Sequence, residues 1–168
     1  MNAPVFERMA VIGCGLIGSS VIRAARAKGA VGQIAVYDAS PAVRDRVRAL
    51  GIADQVFDDP ASAATGADLV IFAAPPAAIA AAALAAAPGF KAGAIVSDVG
   101  SVKGAIGEAL NAAAPPGVFV VPGHPIAGTE QSGPDAGFAT LFEGRWTFLC
   151  PQASAVAALI RRLRCKCH

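Results

Sequence analysis

The chain has 168 residues with 14 basic and 12 acidic side chains, a formal net charge of +2 at pH 7. At 55% hydrophobic and 15% charged, it is too apolar and too weakly charged for a disordered segment. No basic stripe accompanies that charge, which excludes nucleic acid as a partner, and the length suits one domain with a substantial core.

In chain order, Met9–Ile12 is a short apolar run ending at Gly13, the pattern of a buried parallel strand. Helical spacing follows from Leu16 to Lys28, carried by Ile17, Val21, Ala24 and Ala25, with Gly29 as a stop. A second strand, Ile34–Tyr37, closes at Asp38, and Ser40-Pro41 opens a helix with serine as N-cap and proline at the first turn. Strands are expected at Gln55–Phe57, Asp68–Ala73, Ala94–Ser97, Val118–Val121 and Trp146–Cys150. Helices are expected after Pro76, from Ser101, and over Ala153–Arg164. The alternation predicts an α/β fold, a doubly wound and mainly parallel sheet with helices on both faces.

The uncharged run from Leu69 to Phe90 is long enough to cross a bilayer by count. Pro75-Pro76 breaks it, and a buried strand, a turn and an alanine-rich helix account for it, so no membrane span is expected. The N-terminus carries Glu7 and Arg8 ahead of a short apolar stretch and has no signal-peptide pattern. Cysteines at 14, 150, 165 and 167 lack disulfide-framework spacing and fit a reducing cytoplasm. Cys165, Cys167 and His168 offer three candidate ligands on a terminus, too few for a metal site, and no metal is expected.

The first strand runs into Gly13-Cys14-Gly15-Leu16-Ile17-Gly18, a G-x-G-x-x-G that opens the first helix. Asp38 stands 20 residues beyond Gly18, at the end of the second strand. In a Rossmann-type fold, Gly13 permits the tight turn, Gly15 lets a pyrophosphate approach, and Gly18 lets the helix pack on the sheet. The cofactor set is therefore Gly13, Gly15, Leu16, Ile17, Gly18 and Asp38, against the plainer alternative of a glycine turn that only connects strand to helix. A carboxylate at 38 accepts from ribose hydroxyls and repels a 2′-phosphate. NAD is favoured over NADP, with Arg44 the residue that could soften the preference.

Three clusters fall near the ends of later strands. In Ser97–Lys103, Ser101 is either a site residue or a helix N-cap. In Gly123–Glu130, His124 is the one internal histidine, placed by its glycine and proline neighbours in a loop, where an imidazole either acts on a ligand or packs in a core, the first being favoured. The third, Leu141–Trp146, is a turn leading into a strand on its plainer reading.

The strings GCGLIGSS, SDVGSVK, GHPIAGTEQSGPDAG and FEGRWTFLCP, in this order and spacing, resemble the prephenate/arogenate (cyclohexadienyl) dehydrogenase family. The resemblance runs from about residue 8 to about residue 163 and covers that family's N-terminal nucleotide-binding domain. It implies oxidative decarboxylation of prephenate or arogenate with NAD as acceptor, in tyrosine biosynthesis. It implies His124 as acceptor of the substrate's hydroxyl proton and Ser101 as a hydrogen-bonding partner in the same site. Glu130 matches an acidic position bordering the pocket, or is a solvated loop carboxylate. Lys103 either favours anionic substrate or sits on a helix surface.

Family members continue into a helical domain that forms a homodimer and adds substrate contacts. The expected organisation here is a nucleotide-binding domain over 1–152, then the start of a connecting helix and an aberrant tail over 153–168. That tail reads as a truncated or frame-shifted product, in which turnover is impaired and dimerisation is not expected. Two other readings stay open: a non-catalytic NAD-binding fragment, and another Rossmann dehydrogenase such as a β-hydroxyacid dehydrogenase.

Overall fold

The computed structural model describes residues 3–151. The expected helix at Ala153–Arg164 and the Cys165–His168 tail lie outside them. Six parallel strands form one sheet: β1 (Phe6–Ile12), β2 (Val31–Tyr37), β3 (Gln55–Val56), β4 (Leu69–Phe72), β5 (Ile95–Asp98) and β6 (Phe119–Val120). Their spatial order is β3-β2-β1-β4-β5-β6, so the chain reverses direction across the sheet between β1 and β4. Such a reversal leaves a crevice at the carboxyl ends of the two central strands, where open α/β sheets take their ligands.

Strand alternation explains the two-sided core. Met9 and Val11 of β1 face one side with Ile34, Val36, Leu69 and Ile95, while Ala10 and Ile12 face the other with Ala35, Val70, Phe72 and Val96. Helices α1 (Leu16–Ala27) and α2 (Pro41–Leu50) contribute Ile22 and Val47 to the first face. On the second face lie α3 (Pro60–Ala64), α4 (Pro76–Ala86) and α5 (Lys103–Ala113), with Ala63, Ile79, Ala83, Ile106 and Leu110. Alanine dominates α3 and α4, which lets both lie close to the sheet.

Most expected elements are present, and four details differ. The short α3 was not anticipated; Asp59 caps it by accepting from the Ser62 N–H at 2.8 Å, with Pro60 in its first turn. The Trp146–Cys150 strand does not extend the main sheet. It is β8 (Thr147–Leu149), paired antiparallel with β7 (Gly123–Pro125) in a separate ribbon. His124 therefore sits in a strand, directly opposite Phe148, and not in a loop. Finally, α5 begins two residues after Ser101, and no side chain caps it.

The apolar stripe read on α1 is only partly the buried one. Ser19 and Ser20 are fully buried, whereas Val21, Ala24 and Ala25 are partly exposed. The cause is the connection between β7 and β8, which crosses α1. Its Phe138 N–H donates to Ser20 Oγ at 3.1 Å, and a Cβ on Gly137 would lie 2.1 Å from Ser19 Oγ. Both hydroxyls also donate to main-chain carbonyls of α1's first turn, Ser19 to Gly15 and Ser20 to Leu16, each at 2.7 Å. No described helix is long and apolar enough to cross a membrane; the Leu69–Phe90 run is β4, a proline turn, α4 and a short 3-10 turn.

Candidate active site

The site is built at the carboxyl edge of the sheet, beginning with the loop between β1 and α1. Gly13 has φ +97, and a Cβ there would fall 2.6 Å from the Ala74 nitrogen at the end of β4. Only glycine satisfies both demands. A Cβ on Gly18 would lie 2.2 Å from the Gly13 carbonyl oxygen, so α1 rests its backbone directly on the loop. Gly15 is different: a Cβ there would meet nothing within 4 Å. Its hydrogen keeps open a space outside the protein, not a packing contact within it.

The amino end of α1 borders that space. Gly15 is its N-cap, no side chain caps it, and its first turn holds no acidic residue. By contrast, Ser40 caps α2 and Asp59 caps α3. The first-turn amides of α1 thus keep their donor capacity, and the helix dipole adds positive potential, which together suit a phosphate.

Asp38, just beyond β2, fixes the other side. Its Oδ2 accepts from the Cys14 N–H at 2.8 Å and its Oδ1 from the Ser40 N–H at 2.9 Å. A carboxylate has acceptor sites beyond these two, so it can also take ribose hydroxyls. Arg44 is committed elsewhere: its Nη1 donates to the Asp38 carbonyl at 2.8 Å, its Nε to Asp58 at 3.0 Å, and its guanidinium stacks on Tyr37. Burial, reinforced by the charge of Asp38, pushes the Cys14 thiol up to about 12, leaving it protonated and inert between the two glycines.

Beyond the switch point, the remaining candidates lie on β7, on α5 and in the connections that follow β5 and β7. Ser101 is exposed and makes no capping bond; neither its Oγ nor the half-buried His124 ring has a hydrogen-bond partner among the described residues. Both are free to meet a ligand. Glu130 lies exposed in the connection after β7. Lys103 is neither a surface lysine nor an open charge. Its ammonium binds Asp98 and the Gly123 carbonyl, with 17% of the side chain exposed. Asp98 is the residue that reading the sequence left unassigned, although the SDVGSVK string contains it; nothing in local spacing reveals that a carboxylate is 2% exposed. Among the described residues no group of histidine, cysteine or acidic side chains could hold a metal ion.

A parallel sheet in this order, a glycine loop feeding an uncapped helix and a carboxylate closing β2 define a dinucleotide-binding domain of the Rossmann class. Residues 21–164 match the family described as prephenate dehydrogenase, nucleotide-binding domain, and the chain belongs to that family. The match begins within α1, so the glycine loop supports the class independently of it. A cyclohexadienyl dehydrogenase of Zymomonas mobilis is 45% identical over 156 residues, covering 93% of this chain and 53% of that protein. A prephenate dehydrogenase from Aquifex aeolicus, crystallised with hydroxyphenyl propionate and NAD+, superposes with a TM-score of 0.87 at 28% identity, covering 96% of this chain and 56% of that one. A Synechocystis arogenate dehydrogenase gives 0.84 at 25% identity, covering 94% and 55%. The chain spans about half the length of these relatives.

Proposed function

We propose that this chain is the NAD-binding half of an enzyme that oxidatively decarboxylates prephenate or arogenate, a step toward tyrosine. The observation that carries the reading is the open face of Gly15 at the uncapped end of α1 with Asp38 beside it. The first-turn amides of Leu16, Ile17 and Gly18 hold the pyrophosphate, and Asp38 accepts from the adenosine ribose. Bound NAD supplies the acceptor for the hydride that leaves C4 of the substrate ring.

The protein's own residues have modest work, because loss of CO2 and aromatisation of the ring drive the reaction. They align the reacting groups and receive the C4 hydroxyl proton. His124, half-buried and without a competing partner among the described residues, takes that proton on a ring nitrogen. Ser101 donates to or accepts from the same cluster, and Glu130 borders it. Asp38 disfavours a 2′-phosphate by charge, and Arg44 is held by Asp58 and two main-chain carbonyls, so NAD is preferred over NADP.

Titration calorimetry with NAD and NADP, run beside a prephenate and arogenate assay, tests the reading. Binding of NAD with turnover supports it; no binding of either dinucleotide refutes it. A second reading, a domain that binds NAD without turning substrate over, is favoured by one observation. Ile126, Trp146 and Phe148 lie exposed around His124 on the β7–β8 ribbon, Trp146 at 81%. Exposed apolar side chains grouped in this way mark an interaction surface. Binding without turnover is its expected result.

A further inference from the structure

We propose that Asp98 and Lys103 are positioning residues that hold His124 in register with Ser101 by gripping Gly123 on both of its peptide groups. The proposal rests on the reading of His124 as proton acceptor and names what keeps that ring in place.

The pairing of β7 with β8 sets the requirement. The Cys150 N–H donates to the Pro122 carbonyl at 2.9 Å, and the Ile126 N–H donates to the Trp146 carbonyl at 2.8 Å. Hydrogen-bonded positions on an antiparallel strand alternate, so on this side they fall at 122, 124 and 126. Gly123, opposite Leu149, is a non-bonded position, and its N–H and C=O turn away from the ribbon. Gly123 is buried, so both groups need partners from elsewhere.

Asp98 and Lys103 are those partners. The Gly123 N–H donates to Asp98 Oδ1 at 3.2 Å, and Lys103 Nζ donates to the Gly123 carbonyl at 2.6 Å. Lys103 also binds Asp98 Oδ2, which closes a ring of contacts around one residue and the two peptide groups that flank it. The approach is tight: a Cβ on Gly123 would lie 3.0 Å from the Asp98 carbonyl oxygen. The same Oδ2 accepts from the Gly100 N–H at 2.8 Å. One buried carboxylate therefore holds the residue immediately before Ser101 and the residue immediately before His124. Ser101 lies in the connection after β5 and His124 in β7, and they make no bond to each other, so the shared anchor sets their relative position.

Asp98 and Lys103 touch neither cofactor nor substrate in this scheme, so the test reads position. In the 168-residue chain, the Gly100 and Gly123 amides are expected to exchange through one common opening, with the same dependence on denaturant. Independent opening of the two would overturn the proposal even if no variant folded. In Lys103→Met, Gly123 exchange should accelerate by about tenfold or more relative to the Val11 and Val36 amides. The His124 ring Cε1–Hε1 signal should shift or split, while NAD affinity is unchanged. A destabilisation of purely global kind would accelerate all these amides together and leave the ring signal where it was. Should Lys103→Met fail to fold, Asp98→Asn/Lys103→Met removes both charges at once and is read the same way. A ring signal superimposable on wild type in either folded variant overturns the proposal. Absent prephenate turnover counts against the dehydrogenase reading alone, since none of these resonances depends on it.

Discussion

The Asp38 carboxylate accepts a hydrogen bond from the Cys14 amide at 2.8 Å, joining the end of β2 to the loop that ends β1. The residue proposed to read the ribose is thus also a brace for the glycine loop. Its substitution has two separable consequences. Asp38→Ala should weaken NAD more than NADP, because a carboxylate that accepts from the ribose and repels a 2′-phosphate is gone. It should also destabilise the fold by about 1–3 kcal/mol, because the buried Cys14 N–H loses its acceptor. Calorimetry gives the first and urea unfolding the second; an unaltered NAD/NADP ratio would remove Asp38 from the ribose site.

Gly15 and Gly18 stand three residues apart and should behave oppositely. Gly18→Ala drives a Cβ into the Gly13 carbonyl, and is expected to cost about 3 kcal/mol or more, roughly 6–12 °C in Tm for a chain of this size. Gly15→Val places its side chain in open space, so Tm should hold. NAD affinity should instead fall by about tenfold or more, since the branched side chain occupies the pyrophosphate's approach. A Gly15→Val protein that binds NAD normally would show that the open face is not the cofactor site.

His124→Asn keeps a polar side chain on β7 but removes the proposed proton acceptor. Where the wild-type preparation turns over prephenate, kcat should drop about 10²–10⁴-fold with the NAD dissociation constant unchanged. Comparable turnover in the variant would show that another group takes the hydroxyl proton.

The connection that crosses α1 is pinned to α2 by Asp135, which accepts from Arg46 Nε at 2.9 and 3.0 Å. The hydrogen bonds from Arg46, and then its charge, hold the Asp135 carboxyl below the usual carboxylate range. A folded-state pKa below the unfolded value contributes stability that is present above the unfolded value, about 3.9, and disappears as pH falls through the folded one. Urea midpoints of wild type and Asp135→Asn should therefore differ at pH 7 and converge in strong acid. A difference that stays constant with pH would mean that the ion pair is not its source.

The sequence by itself determined the alternation of strands and helices, the glycine loop and the place of Asp38. Each is encoded locally: apolar runs of strand length, glycines at fixed offsets, and a carboxylate closing the next strand. Its apolar pattern could not identify the covered side of α1, because Ser19 and Ser20 are buried by a connection more than a hundred residues later. Nor could it show that His124 lies in a strand, since three residues without alternation carry no strand signal until Thr147–Leu149 pairs with them. Only tertiary structure turned Lys103 from a free charge into the partner of a buried carboxylate. Length entered as bookkeeping for one domain. Tertiary structure gave it meaning: a single sheet edge brings together the open face of Gly15, the carboxylate of Asp38 and two polar side chains, Ser101 and His124, without hydrogen-bond partners among the described residues. Burial and hydrogen-bond partnership across the chain decide which charges are structural and which remain free to act, and neither is a property of local spacing.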